Sequence, residues 1–156
     1  MLEMPDQADY KTLLGFDFGL KQIGVAYGQT LTSSSTALSI IKASDGVPNW
    51  QHIASLIDEW QPDTLIVGLP LNMDDSESDL SVLARKFARR LHGRFNLNVL
   101  MVDERLTSRD IKSSLKQQAI NSASKHKAID LSKIDHLAAA LILQSWLDNP
   151  ELGRPL

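Results

Sequence analysis

The chain has 156 residues, 43% hydrophobic and 22% charged, with a formal charge of −3 and no cysteine. That length suits one domain burying roughly two-thirds of its unfolded surface, and the composition is that of a globular protein rather than a disordered one. No apolar run reaches the ~20 residues that cross a bilayer, the acidic opening MLEMPDQADYK is unlike a secretory signal, and disulfide or thiolate-metal chemistry is excluded, so a cytoplasmic protein is expected.

Strand signals come first. Thr12–Phe18, Gln22–Gly28 and Thr36–Lys42 are short β-rich runs with brief connections, which predicts an antiparallel meander. Ile53, Leu56, Ile57 and Trp60 recur at helical spacing before Pro62. DTLIVGLP is a continuous apolar run of strand length, as in a strand covered on both faces. In DSESDLSVLARKFARRLHG, Ser76 and Asp79 resemble a capping box, Leu80, Leu83, Ala84, Phe87, Ala88 and Leu91 form one stripe, and Gly93 is the expected stop. NLNVLMV is a further strand, followed by DERLTS.

A polar helix is expected from about Ser108 to Gln118, then a loose connection, AINSASKHKAID, whose Lys125, His126 and Lys127 are placed to meet a phosphate backbone or solvent. The last helix runs from about Ser132 to Leu147, with LAAALIL apolar on every side and expected to be buried. The fold class is therefore α/β: a mixed five-stranded sheet, three strands in an antiparallel meander plus two parallel strands, flanked by helices. Residues 1–11 are expected to be a poorly ordered extension, 12–149 a single domain, and 150–156 a tail.

Asp17 interrupts the first apolar strand. A buried carboxylate must be paired, metal-bound or neutralised. It shares a strand face with Gly15 and Gly19, which suggests a cleared patch of sheet for a ligand. Its plainer role is to cap a turn. Asp103 and Glu104 end the fifth strand and point to opposite faces, so at most one joins Asp17. Asp135 lies three residues after Ser132 and either completes a capping box or looks off the helix start towards the sheet. Carboxylates without cysteine, and four histidines without ligand spacing, suit a hard cation such as Mg²⁺ or Mn²⁺. Two such ions together hydrolyse phosphodiesters without a protein nucleophile.

Charge is unevenly spread. Residues 84–127 carry eleven Lys/Arg against three Asp/Glu, and the remainder five against sixteen. Such asymmetry fits either a polyanion-binding region or solvated helix faces. Arg85 and Arg89 flank their helix stripe, Arg105, Arg109 and Lys112 follow the second acidic motif, and Lys21 follows the Asp17 strand. These six residues are candidates for nucleic-acid binding.

GFDFGLKQIGVA, VGLPLNMDDSES, DERLTS and IDHLAAALILQSWL occur in the order and context of the YqgF family, bacterial proteins also known as pre-16S rRNA nucleases or Holliday-junction-resolvase-like proteins. The resemblance spans roughly Leu13 to Asp148. It implies an RNase H-like fold, a divalent-metal nuclease, and Asp17, Glu104 and Asp135 as catalytic and metal-binding acids. Three positions depart from the family pattern: Gln22 stands for the usual arginine, Gly28-Gln29 for a Ser-Asp pair, and Asp75 for a glycine.

The expected function is therefore Mg²⁺- or Mn²⁺-dependent endonucleolytic cleavage, foremost at the 5′ end of pre-16S rRNA in ribosome biogenesis, by a monomer or homodimer without membrane association. Resolution of branched DNA uses the same chemistry and normally a dimer. A non-catalytic nucleic-acid-binding factor in ribosome assembly or transcription is the reading from another class. It leaves unexplained why three carboxylates would face phosphates. An actin-like phosphotransferase is excluded because the chain supplies one domain where such enzymes need two.

Overall fold

A computed structural model describes residues 11–104 and 132–156, with side chains from Leu137 onward in the second segment. Strands β1 (Thr12–Asp17), β2 (Gln22–Gln29) and β3 (Ser34–Ser44) form the expected meander, and β5 (Thr64–Leu69) and β6 (Asn98–Asp103) are parallel to β1. Among the described residues the sheet has seven strands, not five. Two-residue strands β4 (Val47–Pro48) and β7 (Arg154–Pro155) pair at its two edges, giving the order β4-β3-β2-β1-β5-β6-β7. Two residues carry no readable alternation, so such strands are set by their neighbours.

Helices α1 (Trp50–Trp60) and α2 (Asp79–Phe95) cover one face. Helix α1 is capped by Asn49, whose side chain accepts from the His52 amide at 3.2 Å. Ser78, not Ser76, caps α2, in a reciprocal capping box with Ser81. The helix also runs past Gly93 to Phe95 and stops at Asn96 in the left-handed region, φ 52°. Asparagine tolerates that conformation, whereas Gly93 is simply accommodated within the last turn. On this face Leu14, Phe16, Phe18, Val25, Leu65, Val67, Val99 and Met101 pack beneath α1 and α2. Phe87 lies at its centre, with ring centroids 5.6 Å from Phe16, 5.3 Å from Phe18 and 5.8 Å from Trp50.

Among the described residues, helix α3 (Ser132–Asp148) is the element that covers the other face. Ala139, Ile142, Leu143, Trp146 and Leu147 pack on Leu13, Ala26, Ile66 and Val102. Its apolar composition does not make it buried all round: Leu137 is exposed and Ala140 and Leu141 are half-buried. The expected helix at 108–118, the connection 119–130 and the extension at 1–10 lie outside the described residues.

Candidate active site

Asp17 ends β1 opposite Gly24 of β2 and is partly exposed. The turn after it is tight. A Cβ on Gly19 would stand 2.5 Å from the Gln22 carbonyl oxygen, so only glycine closes this turn. The turn is pinned from outside: the Leu20 carbonyl accepts from the Gly46 amide at 2.9 Å and the Lys21 carbonyl from Ala43 at 2.8 Å. An open groove of about 420 Å³ lies beside Asp17, lined by residues 17–22 and Leu80. Lys21 is exposed at its rim.

Glu104 follows β6, two strands away, and is half-buried. Strand parity places it with Val102, on the α3 face, which is also the face of Leu13, Gly15 and Asp17. Its carboxylate leans over Gly68 of β5. A Cβ there would come within 2.6 Å of Glu104 Oε1 and 2.9 Å of its Cγ. Phe16 pairs with Val67 in the parallel register, so Asp17 stands one step on, beside Gly68. Glu104 thus lies over Gly68, while Asp17 ends the strand on the other side of β5. Gly68 is the residue that motif reading passed over. The available signal was a lone glycine inside a fully buried strand, a sign of close approach.

Asp103 is a different kind of acid. It faces the α1–α2 side, is only 2% exposed, and lies 3.9 Å from the guanidinium of Arg154. Asp135 sits in the first turn of α3, and its side chain lies outside the described residues. The path of the helix is nonetheless informative. Leu147 packs on Gly28 and Leu143 on both Gly28 and Gly15, while the Ala139 carbonyl reaches Gly15. Each turn backwards along α3 moves towards the Asp17 end of β1, and Asp135 is one turn before Ala139.

That packing corrects the reading of Gly15 as space for a ligand. A Cβ on Gly15 would lie 2.9 Å from Leu143 Cβ and 3.3 Å from the Ala139 carbonyl oxygen. The glycine admits a helix, not a phosphate. Other candidates are placed as follows. Arg85 is ion-paired with Glu77, Arg89 is exposed on α2, and Arg105, Arg109 and Lys112 lie outside the described residues. Gln22 opens β2 beside Asp17, but Gln29 ends it opposite Thr12. Five residues of strand, roughly 16 Å, separate Gln29 from the acid, and its amide contacts the Tyr27 hydroxyl. Asp75 has φ 70°, which accounts for a glycine preference there.

Asp17 and Glu104 thus stand at the ends of strands that lie on either side of β5, and two negative charges at neighbouring strand ends favour a cation. Their oxygen-only chemistry fits a hard divalent ion. Among the described residues no three acidic or histidine side chains gather, the Asp135 side chain being outside that set.

The family model described as "RuvX: Holliday junction resolvase" matches residues 11–149. The chain belongs to the RuvX family. A relative from Haemophilus ducreyi is 54% identical over 138 residues, covering 88% of this chain and 96% of that protein. One from Pasteurella multocida is 50% identical over 141 residues, 90% and 97% of the two chains. Both carry the name "Putative pre-16S rRNA nuclease". Among solved structures, RuvC of T. thermophilus in complex with a Holliday junction superposes with a TM-score of 0.54 at 14% identity, covering 93% of this chain and 99% of that one. The yeast mitochondrial Holliday junction resolvase gives 0.52 at 12%, covering 86% and 77%. At such identities the likeness is one of fold, and this RuvX-family fold is RNase H-like.

Proposed function

We propose that this RuvX-family chain is a divalent-metal-dependent endonuclease that hydrolyses phosphodiester bonds, and that its substrate is the 5′ region of pre-16S rRNA. The reading rests on the placement of Asp17 and Glu104 at the carboxyl ends of β1 and β6, on either side of β5, with the Glu104 carboxylate over Gly68; ligands gather at such strand ends in open α/β sheets. The nuclease names of relatives at about 50% identity support the reaction and the RNA. In this reading Asp17 and Glu104 hold Mg²⁺ or Mn²⁺, and Asp135 completes the site from the start of α3. Bound metal would supply an activated water and charge stabilisation for the leaving oxygen. The chain's own residues orient the phosphate: Lys21 at the groove rim, Arg89 on α2, and Arg105, Arg109 and Lys112 after the second acid. Arg85 has its Glu77 pairing to release first. A single domain over 12–149 would act in the cytoplasm, as a monomer or homodimer.

Cleavage of branched DNA is the second reading, favoured by the family's description and by the RuvC likeness in fold. Purified protein is incubated with pre-16S rRNA and with a four-way DNA junction, with and without Mn²⁺, beside Asp17→Asn. Metal-dependent cleavage of the RNA, lost in the variant, is expected. Cleavage of the junction alone selects the second reading, and undiminished cleavage by Asp17→Asn overturns the carboxylate site. Binding of RNA without cleavage by the wild-type protein selects the non-catalytic factor.

A further inference from the structure

We propose that residues 150–156 form a strap that aims Glu104, with Arg154 as its positioning residue. The inference rests on the reading of Glu104 as a metal ligand. After α3 the chain turns through a 3₁₀ segment, Pro150–Leu152, and then returns to the sheet as β7, pairing Arg154 with Met101 and Pro155 with Leu100. Gly153 makes that return possible. A Cβ there would stand 2.8 Å from Trp146 Nε1 on α3 and 3.1 Å from Leu100 Cδ1 on β6. The strap therefore passes in close contact with both elements, one bearing Asp135 and the other leading into Glu104.

Arg154 does more than extend an edge. Because it lies opposite Met101, its side chain shares the face of Met101 and Asp103 and reaches diagonally towards the latter. The guanidinium Nη2 is 3.9 Å from Asp103 Oδ2. Asp103 is nearly inaccessible, and Arg154 is one of the groups placed to stabilise its charge. Successive side chains of a strand point to opposite faces. Glu104 is the first residue after β6 and its carboxylate lies over Gly68 on the α3 face, so holding Asp103 towards the α1–α2 face fixes the strand end from which Glu104 departs. A clamp on one side of the sheet becomes aim on the other.

The test uses the full-length chain with Arg154→Ala, Arg154→Lys, Asp103→Asn and the double variant Asp103→Asn/Arg154→Ala. Three quantities are read: the Mn²⁺ concentration giving half-maximal cleavage, KM for the nucleic acid, and amide exchange at residues 101–104. Arg154→Ala is expected to raise the Mn²⁺ requirement about tenfold, as for loss of other groups that support metal ligands. KM should stay within about twofold, because the nucleic-acid contacts are elsewhere. Exchange should quicken at the end of β6 and not in α1 or β3. Arg154→Lys should recover most of the loss, and the double variant should be no worse than the worse single one.

An unchanged Mn²⁺ requirement in Arg154→Ala overturns the positioning role, even if exchange at β6 quickens. Faster exchange spread evenly over the sheet overturns it too, since that is general destabilisation. If Arg154→Ala does not fold, Asp103→Asn carries the same comparison: a raised Mn²⁺ requirement with exchange quickened only at the end of β6 supports the positioning role, and an unchanged requirement overturns it. Absence of metal-dependent cleavage by the wild-type chain overturns the nuclease reading itself. In that case exchange at residues 101–104 still decides whether the strap braces β6.

Discussion

The sheet's two faces are packed to different thicknesses. Beneath α1 and α2, Phe16, Phe18, Trp50 and Phe87 form an aromatic layer that holds the helices off the strands. Beneath α3 the strands present Gly15, Ala26 and Gly28, and the helix descends until a single methyl group would collide. The thick face supplies apolar burial, the main favourable term in folding. The thin face brings the first turn of a helix close to the strand ends, and there the acids Asp17 and Glu104 replace the core. On the proposed function, the larger core lies on one side of the sheet and the chemistry at the end of the other.

The sharpest separation of the two comes from Asp17→Asn. If Asp17 holds metal as proposed, its loss should remove several kcal/mol of transition-state stabilisation, about 10³-fold in rate. The melting temperature should hold or rise, because a like-charge repulsion at the site is relieved. Chelation with EDTA should match the loss of rate and be reversed by Mn²⁺. A variant that melts much earlier would show that Asp17 braces the turn instead.

Phe87→Ala attacks the other face. Loss of a buried phenylalanine at the meeting point of three aromatic rings should cost about 3–5 kcal/mol in urea unfolding. The fraction still folded should keep its Mn²⁺ requirement. A shifted requirement would mean the two faces are mechanically coupled through β1.

Gly68→Ala tests the thin face where it meets the chemistry. The added methyl would fall 2.6 Å from both Glu104 Oε1 and Ile142 Cδ1. Overpacking of this kind costs about 1–3 kcal/mol, and the flexible end of Glu104 is the neighbour that yields. Cleavage should fall about tenfold to a hundredfold through a misplaced ligand. Gly15→Ala meets Leu143 and the α3 backbone instead. It should destabilise comparably while leaving Glu104 in place, so the ratio of activity loss to stability loss distinguishes the two glycines.

The five longer strands and the α1, α2 and α3 segments were legible because their apolar patterns are long enough to show a period. The choice between Asp103 and Glu104 was not legible from alternation alone. It depends on which face holds α3: Asp103 turns to the other face, where it lies 3.9 Å from Arg154, a residue distant in sequence. The role of Gly15 was misread for the same reason. A glycine in a strand signals close approach, but only tertiary packing says whether a helix or a ligand approaches. Ser78 prevailed over Ser76 because Ser81 completes its box, a detail that six acidic and serine residues in a row, Asp74 to Asp79, leave ambiguous. The departure at Gln29 loses its functional weight once β2 carries it to the far end of the sheet.

Asp75 offers the smallest effect and a direct test of a backbone argument. Asn72 and Ser76 close the bend around it: the Asp75 amide donates to the Asn72 carbonyl at 3.0 Å, and the Asn72 amide to Ser76 at 2.9 Å. The Asp74 carboxylate accepts from the Ser76 amide at 3.0 Å. This geometry forces φ 70° at Asp75, where a side chain crowds the following carbonyl at a cost of roughly 1 kcal/mol, less for aspartate than for most residues. Glycine removes that cost but loses more entropy on folding. The balance should favour Asp75→Gly by about 0.5 kcal/mol, a rise of about 1–2 °C in melting temperature for a chain of this size. Asp75→Ala keeps the strain and should melt below both. If alanine instead equals glycine, the bend relaxes freely and φ at this position carries no energetic weight. If glycine melts below aspartate, the carboxylate's own interactions outweigh the backbone strain. Neither change touches a face of the sheet, so the Mn²⁺ requirement should stay where it is.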